Sequence, residues 1–104
     1  MPDDYGQTPL LYAAERGHEG VVKILLRWGE VNPDRPDNEG RTPLAFAAKN
    51  GNEGVVRALL GREEVNPDKL DNGGQTPRML AARCSHPGVI ALLQPLEAVI
   101  HSPV

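Results

Sequence analysis

The sequence is poor in the side chains that dominate most small cores. It has four aromatic residues in 104, and only one each of tryptophan and phenylalanine. Small aliphatic groups therefore have to do the packing. It has a single cysteine, Cys84, which excludes an internal disulfide and fits a reducing compartment. No apolar run approaches the ~20 residues that a membrane-spanning helix requires. The start, Met1-Pro2-Asp3-Asp4, lacks the basic and apolar regions of a secretory leader. A cluster of Lys and Arg is missing as well. With 11 basic against 14 acidic residues and a formal net charge of -3, neither nucleic acid nor a membrane surface is expected as a partner. These absences predict one soluble domain's worth of chain, cytoplasmic or nuclear.

Ten prolines and eleven glycines are present instead, and they fall at a fixed period. Thr8-Pro9-Leu10, Thr42-Pro43-Leu44 and Thr76-Pro77-Arg78 begin 34 residues apart. Ala13-Ala14, Ala47-Ala48 and Ala81-Ala82 follow at one offset, and Gly6, Gly40 and Gly74 precede at another. Gly20-Val21-Val22 returns as Gly54-Val55-Val56 and Gly88-Val89-Ile90, while Val31-Asn32-Pro33-Asp34 returns once, as Val65-Asn66-Pro67-Asp68. The chain divides accordingly into units 1–37, 38–71 and 72–104, the last with a tail. One such unit cannot bury its own apolar face, so the units have to stack.

Within each unit the residues predict a short helix, a second helix and a connector. Thr8, Thr42 and Thr76 suit N-cap positions, with proline at the first helical position, where no donor is needed. Removing such a cap, as in Thr42→Ala, is expected to cost about 1 kcal/mol, against less than ~0.5 kcal/mol for the neighbouring Arg41→Ala. Gly17 and Gly51 end the first helices, with Ser85 in that register of unit three. Val21, Val22, Leu25 and Leu26, then Val55, Val56, Leu59 and Leu60, give the second helices an apolar stripe, with Lys23, Arg27 and Arg57 on the wet side. Pro87 suits the first position of the last helix, and Pro95 is expected to stop it. The connectors Glu30 to Arg41 and Glu64 to Gln75, rich in Asn, Asp, Pro and Gly, predict exposed turns.

The succession Gly-x-Thr-Pro-Leu, x-x-Ala-Ala, Gly-His-Glu-Gly-Val-Val-Lys-Ile-Leu-Leu and Val-Asn, over residues 4 to about 95, resembles the ankyrin repeat. The 34-residue Val-Asn-Pro-Asp form is similar to repeats common in fungal multidomain proteins. The resemblance implies an all-α solenoid of three stacked helix-turn-helix units with projecting β-hairpin loops. Leu11, Ala45 and Met79 stand where the family has histidine, so an apolar contact is expected in place of that polar link. Unit three carries Arg78 for leucine, Ser85 for glycine and Gln94 for leucine, which predicts a polar C-terminal cap. Leu96 to Ile100 is apolar and reads as a last turn over the stack or as the start of a further unit. The first unit has no such polar replacement, and the chain is expected to be part of a larger protein.

Residues that carry chemistry in other settings are accounted for here by local structure. His18-Glu19 begins a zinc-helix motif, but Val22 occupies the place of its second histidine. Glu19 and Glu53 instead complement the dipole at a helix start. Cys84 and His86 have no orienting third group. Asp34, Asp37 and Glu39 lack the spacing of a calcium loop, and turn chemistry accounts for them. No reaction, metal or cofactor is assigned to this segment.

The resemblance implies a partner-binding concave side built from hairpin tips and inner helices. Carried across by register, it takes Tyr5, Gln7, Arg16 and Trp28 from unit one. Arg35, Asn38, Glu39, Arg41, Lys49 and Asn50 follow, then Lys69, Leu70, Gln75 and Arg83. Asp4, Glu15, Pro36 and Asn72 lie beside them. Trp28, Tyr5, Arg35 and Arg41 have the chemistry of binding hot spots, although an aromatic such as Trp28 by default packs against a neighbouring helix. The expected function is that of a monomeric scaffold binding a protein partner. The alternatives are an array regulating an attached catalytic or nucleotide-switch domain, and a purely structural cap.

Overall fold

The computed structural model describes residues 6–28 and 31–94. Among these residues six helices follow one another: α1 Pro9–Arg16, α2 Glu19–Leu26, α3 Pro43–Asn50, α4 Glu53–Leu60, α5 Pro77–Arg83 and α6 Pro87–Leu92. Helices α1, α3 and α5 pack side by side as an inner row, and α2, α4 and α6 as an outer row. No strand occurs among the described residues. The connectors are turns, closed at their tips by Asp37 N donating to Arg41 O and Asp71 N donating to Gln75 O.

The inner helices start where the sequence places them. Thr8, Thr42 and Thr76 accept through Oγ1 from Leu11 N, Ala45 N and Met79 N at 3.2, 3.1 and 3.2 Å. Each occupies extended backbone ahead of a proline, so the cap removes an orphan donor while the ring presets the first turn. Gly17 and Gly51 then end α1 and α3 with φ near 73°, a left-handed conformation that costs glycine little. In unit three Ser85 takes that conformation with φ 62° despite its side chain.

The core runs continuously through the stack along Leu10, Ala14, Val22, Leu44, Ala48, Val56, Leu59, Ala81 and Val89. Alanine methyls let the inner helices approach closely, which is why the chain needs few aromatics. Leu11 and Ala45, in the register of the expected apolar link, are buried. Met79 of unit three is exposed.

Polar bonds between units are made elsewhere. Asn52 Nδ2 donates to Ala14 O at 3.3 Å, and His86 Nε2 lies 3.0 Å from Lys49 O. These residues open α4 and α6, yet neither caps its own helix. Asn50 Nδ2 donates to Glu15 O, Asn72 N to Glu39 O and Asn72 Nδ2 to Asn38 O. Arg62 Nη1 donates to Leu26 O, and Asn66 N to a carboxylate oxygen of Asp34.

The two ends of the stack differ. At the C-terminal side Arg78 and Gln94 are exposed, in the register of Leu10 and Leu44 and of Leu26 and Leu60, which are buried or half-buried. At the N-terminal side Pro9, Tyr12, Val21, Ile24 and Trp28 are exposed, and Val21 departs from the amphipathic pattern. It belongs to the predicted buried stripe yet is 47% exposed, whereas its counterpart Val55, on a helix packed between α2 and α6, is buried. The Leu96 to Ile100 segment and the stop at Pro95 lie outside the described residues; α6 ends at Leu92.

Candidate partner-binding face

The period places the predicted residues in rows. Glu15, Lys49 and Arg83 occupy one register near the ends of the inner helices, with Arg16 and Asn50 beside them. Arg35 and Lys69 form a second row at the connector tips, and Gln7, Arg41 and Gln75 a third ahead of the capping threonines. The inter-unit bonds of Asn50, Asn72 and His86 tie these rows to backbone carbonyls, so their spacing is set by the scaffold.

Arg16, Arg35, Asn38, Glu39, Lys49, Asn50, Leu70 and Arg83 are exposed, while Gln7, Arg41, Lys69 and Gln75 are half-buried. Tyr5 lies outside the described residues. Leu70 leaves 56% of its surface in solvent at a connector tip. Arg16 lies over the Tyr12 ring, its guanidinium carbon 5.3 Å from the centroid.

Arg41 is built into the scaffold more deeply than its register indicates. Its Nε lies 3.2 Å from Asp37 Oδ2, and its guanidinium stacks 5.0 Å from the centroid of the buried Phe46 ring. Asp37 is buried and accepts at Oδ1 from Glu39 N and Arg41 N, both at 2.9 Å. The turn is thus pinned by one carboxylate with three donors, and the expectation that Arg41→Ala is nearly neutral is revised. One period on, Asp71 accepts from Gly73 N and Gln75 N in the same way, but Gln75 replaces the arginine and its Oε1 is buried without a partner. Turn chemistry alone does not convey that Asp37 is an anchor. The recurrence of Asp-Asn-x-Gly at Asp37 and Asp71 is the sequence signal for that role.

Trp28 is not buried against the neighbouring helices. It is 59% exposed, and with Arg35 it lines a groove of about 240 Å³ whose other walls include Pro9, Leu10, Leu25 and Val31. The structure therefore joins Trp28 to Arg35 and sets both at the N-terminal end of the stack.

Lys23 and Glu19 form an exposed pair on α2, and beyond α4 the half-buried Arg62 pairs with the exposed Glu64. Lys23 Nζ lies 2.8 Å from Glu19, and Arg62 is 2.7 Å from Glu64. The hydrogen bond from Lys23, and then its charge, hold the Glu19 carboxyl below its ordinary value. The bond from Arg62 does the same for Glu64 and pushes the guanidinium up. No group of three or more metal-ligating side chains occurs among the described residues, and no helix among them is long and apolar enough to cross a membrane.

A family model described as ankyrin repeats (three copies) matches residues 1–69 and again residues 29–102. The chain belongs to the ankyrin-repeat family. No curated protein matches it significantly. Ankyrin repeats are generally protein–protein interaction modules, and the family is typically non-catalytic. The six-helix stack is the helix-turn-helix solenoid of such repeats.

Proposed function

We propose that this array binds a protein partner through the side formed by connector tips and inner-helix ends, as a scaffold that performs no reaction, within a larger protein. The observation that carries this reading is the alignment of chemically mixed side chains in rows fixed by inter-unit bonds, notably half-buried Glu15 with exposed Lys49 and Arg83. Rigid display of such rows loses little ordering entropy on binding. Lys49 and Arg83 supply adjacent cations for an acidic segment of the partner, and Leu70 an apolar contact at the tip.

The test compares the immobilised chain with a Lys49→Glu, Arg83→Glu variant whose folding is checked by circular dichroism. A protein retained by the native chain and lost from the folded variant supports the face. Retention of the same proteins by both overturns it.

A second reading, a structural cap, is favoured by the exposed Arg78 and Gln94 at registers that units one and two bury or half-bury. Truncation after Asp71 that lowers the melting temperature and leaves partner capture intact supports that role.

A further inference from the structure

We propose that Asn72 is a self-modification site: its side-chain amide is lost through a cyclic imide formed with Gly73, and the carboxylate that results weakens the joint of the third unit to the second. The proposal concerns that joint and stands without the partner-binding reading.

The chemistry needs an asparagine followed by a backbone N–H that is open to approach. Asn32 and Asn66 precede proline, which has no N–H to lose. Asn38 and Asn52 precede Glu39 and Glu53, whose side chains crowd the attacking nitrogen and whose charge disfavours its deprotonation. That leaves Asn50-Gly51 and Asn72-Gly73, where glycine has no Cβ to hinder the attack. The structure separates these two. Asn50 is the last residue of α3, and Gly51 N donates to Ala48 O in the turn that ends it, so closing the ring there requires the helix end to unwind. Asn72 and Gly73 are exposed in the connector between α4 and α5. Gly73 N donates to Asp71 Oδ1 at 2.9 Å, and local opening of that exposed bond frees the nitrogen.

The step balances with water as its co-reactant. Gly73 N gives its proton to hydroxide and bonds to Asn72 Cγ; the Cγ–Nδ2 bond breaks, and ammonia leaves with a proton taken from water. Water then opens the imide. Cleavage between the ring nitrogen and Cγ gives aspartate. Cleavage between that nitrogen and the Asn72 carbonyl carbon gives isoaspartate, with the chain rerouted through the side chain. Nothing is oxidised or reduced.

Asn72 is placed where either product is felt. Its Nδ2 donates to Asn38 O at 3.1 Å and its backbone N to Glu39 O at 2.9 Å, both in the second unit. Its Oδ1 packs so closely over Gly40 that a Cβ there would meet it at 2.5 Å. Either product replaces the Nδ2 donor with a carboxylate oxygen, which only accepts, beside the Asn38 carbonyl, which also only accepts. Isoaspartate further adds a backbone atom inside the turn that Asp71 N and Gln75 O close.

The test incubates the chain at mildly alkaline pH, folded and in urea, and follows deamidation by peptide mass spectrometry. Trypsin cutting at Lys69 and Arg78 isolates Asn72 from every other asparagine. In the folded chain Asn72 is expected to convert several-fold faster than Asn50, with isoaspartate among the products; in urea the two are expected to convert at similar rates. An Asn72 that stays intact in the folded chain while it converts in urea, or a folded-state conversion of Asn50 that matches it, overturns the proposal. The consequence is read separately on Asn72→Asp, whose urea midpoint is expected to fall below that of the wild type and whose α5 is expected to be cut faster by trypsin at Arg83. An Asn72→Asp chain that matches the wild type in both readouts shows that the joint does not depend on this amide, and likewise overturns the proposal.

Discussion

Arg41 Nε lies 3.2 Å from the carboxylate of Asp37, whose side chain is 1% exposed while the arginine keeps about a third of its own surface in water. The pair therefore joins a buried anchor to a partly solvated lid over Phe46. Loss of Asp37 frees two backbone donors and the guanidinium at once, so Asp37→Ala is expected to cost about 2–3 kcal/mol. Arg41→Ala leaves the carboxylate its two N–H donors and is expected to cost about 1–2 kcal/mol, well above Lys49→Ala. Urea titrations of the three variants check the order, and equal costs for Arg41→Ala and Lys49→Ala count against it.

Ser85 occupies a conformation that a side chain resists, with φ 62° in the register of Gly17 and Gly51. Ser85→Gly is expected to stabilise the chain by about 0.5–1 kcal/mol, since the steric cost removed exceeds the entropy that glycine adds to the unfolded state. Thermal denaturation reads the gain directly, and a lower melting temperature contradicts it.

Gly20 and Gly54 hold the same position in α2 and α4 but meet different surroundings. Alanine favours a helix over glycine by about 0.5–1 kcal/mol, so Gly20→Ala is expected to stabilise by up to that amount. At Gly54 the new methyl displaces the Glu19 carboxylate, and the gain is expected to vanish or reverse. Parallel denaturant titrations of the two variants decide the point.

Glu64 and Glu19 are held below the ordinary carboxyl value of 4.5 by Arg62 and Lys23. For a depressed acid, the stabilisation is complete above the unfolded value and is lost as pH falls through the folded one. Wild type and Glu64→Gln are therefore expected to differ most near neutrality and to converge as the pH falls below the ordinary carboxyl value and through the folded one. The difference is small because Glu64 is exposed and the pair is screened by salt. A gap in melting temperature that widens on acidification contradicts the assignment.

The sequence carried those features that depend on one residue and its near neighbours. Thr42 with Pro43 marks a helix start, and Gly51 marks its end, whichever unit surrounds them. Arg78 and Gln94 announced a wet end because a charge or an amide in an apolar register is costly to bury without a partner. What depends on a neighbour 34 residues away was harder to read. Val21 and Val55 are the same residue type in the same local setting, and only the presence of a preceding unit decides which is buried. Arg41 sits among positions whose side chains reach solvent, and its inward contact needs both the buried Asp37 and the Phe46 ring. Exposure of Trp28 follows from the same cause as that of Val21, which helix periodicity does not encode.

The side-chain and backbone bonds between units described above run one way. Asn50, Asn52, Arg62, Asn66, Asn72 and His86 each offer a hydrogen, and the oxygens that take it belong to the unit before. His86 must then carry its proton on Nε2 to serve a carbonyl. The stack therefore has a direction, with donors facing its beginning and acceptors its end. Two copies joined beginning to beginning set donor against donor, and end to end set acceptor against acceptor. A two-fold symmetric pair built on either tip forfeits these bonds, so any lengthening of the rod that keeps them proceeds head to tail.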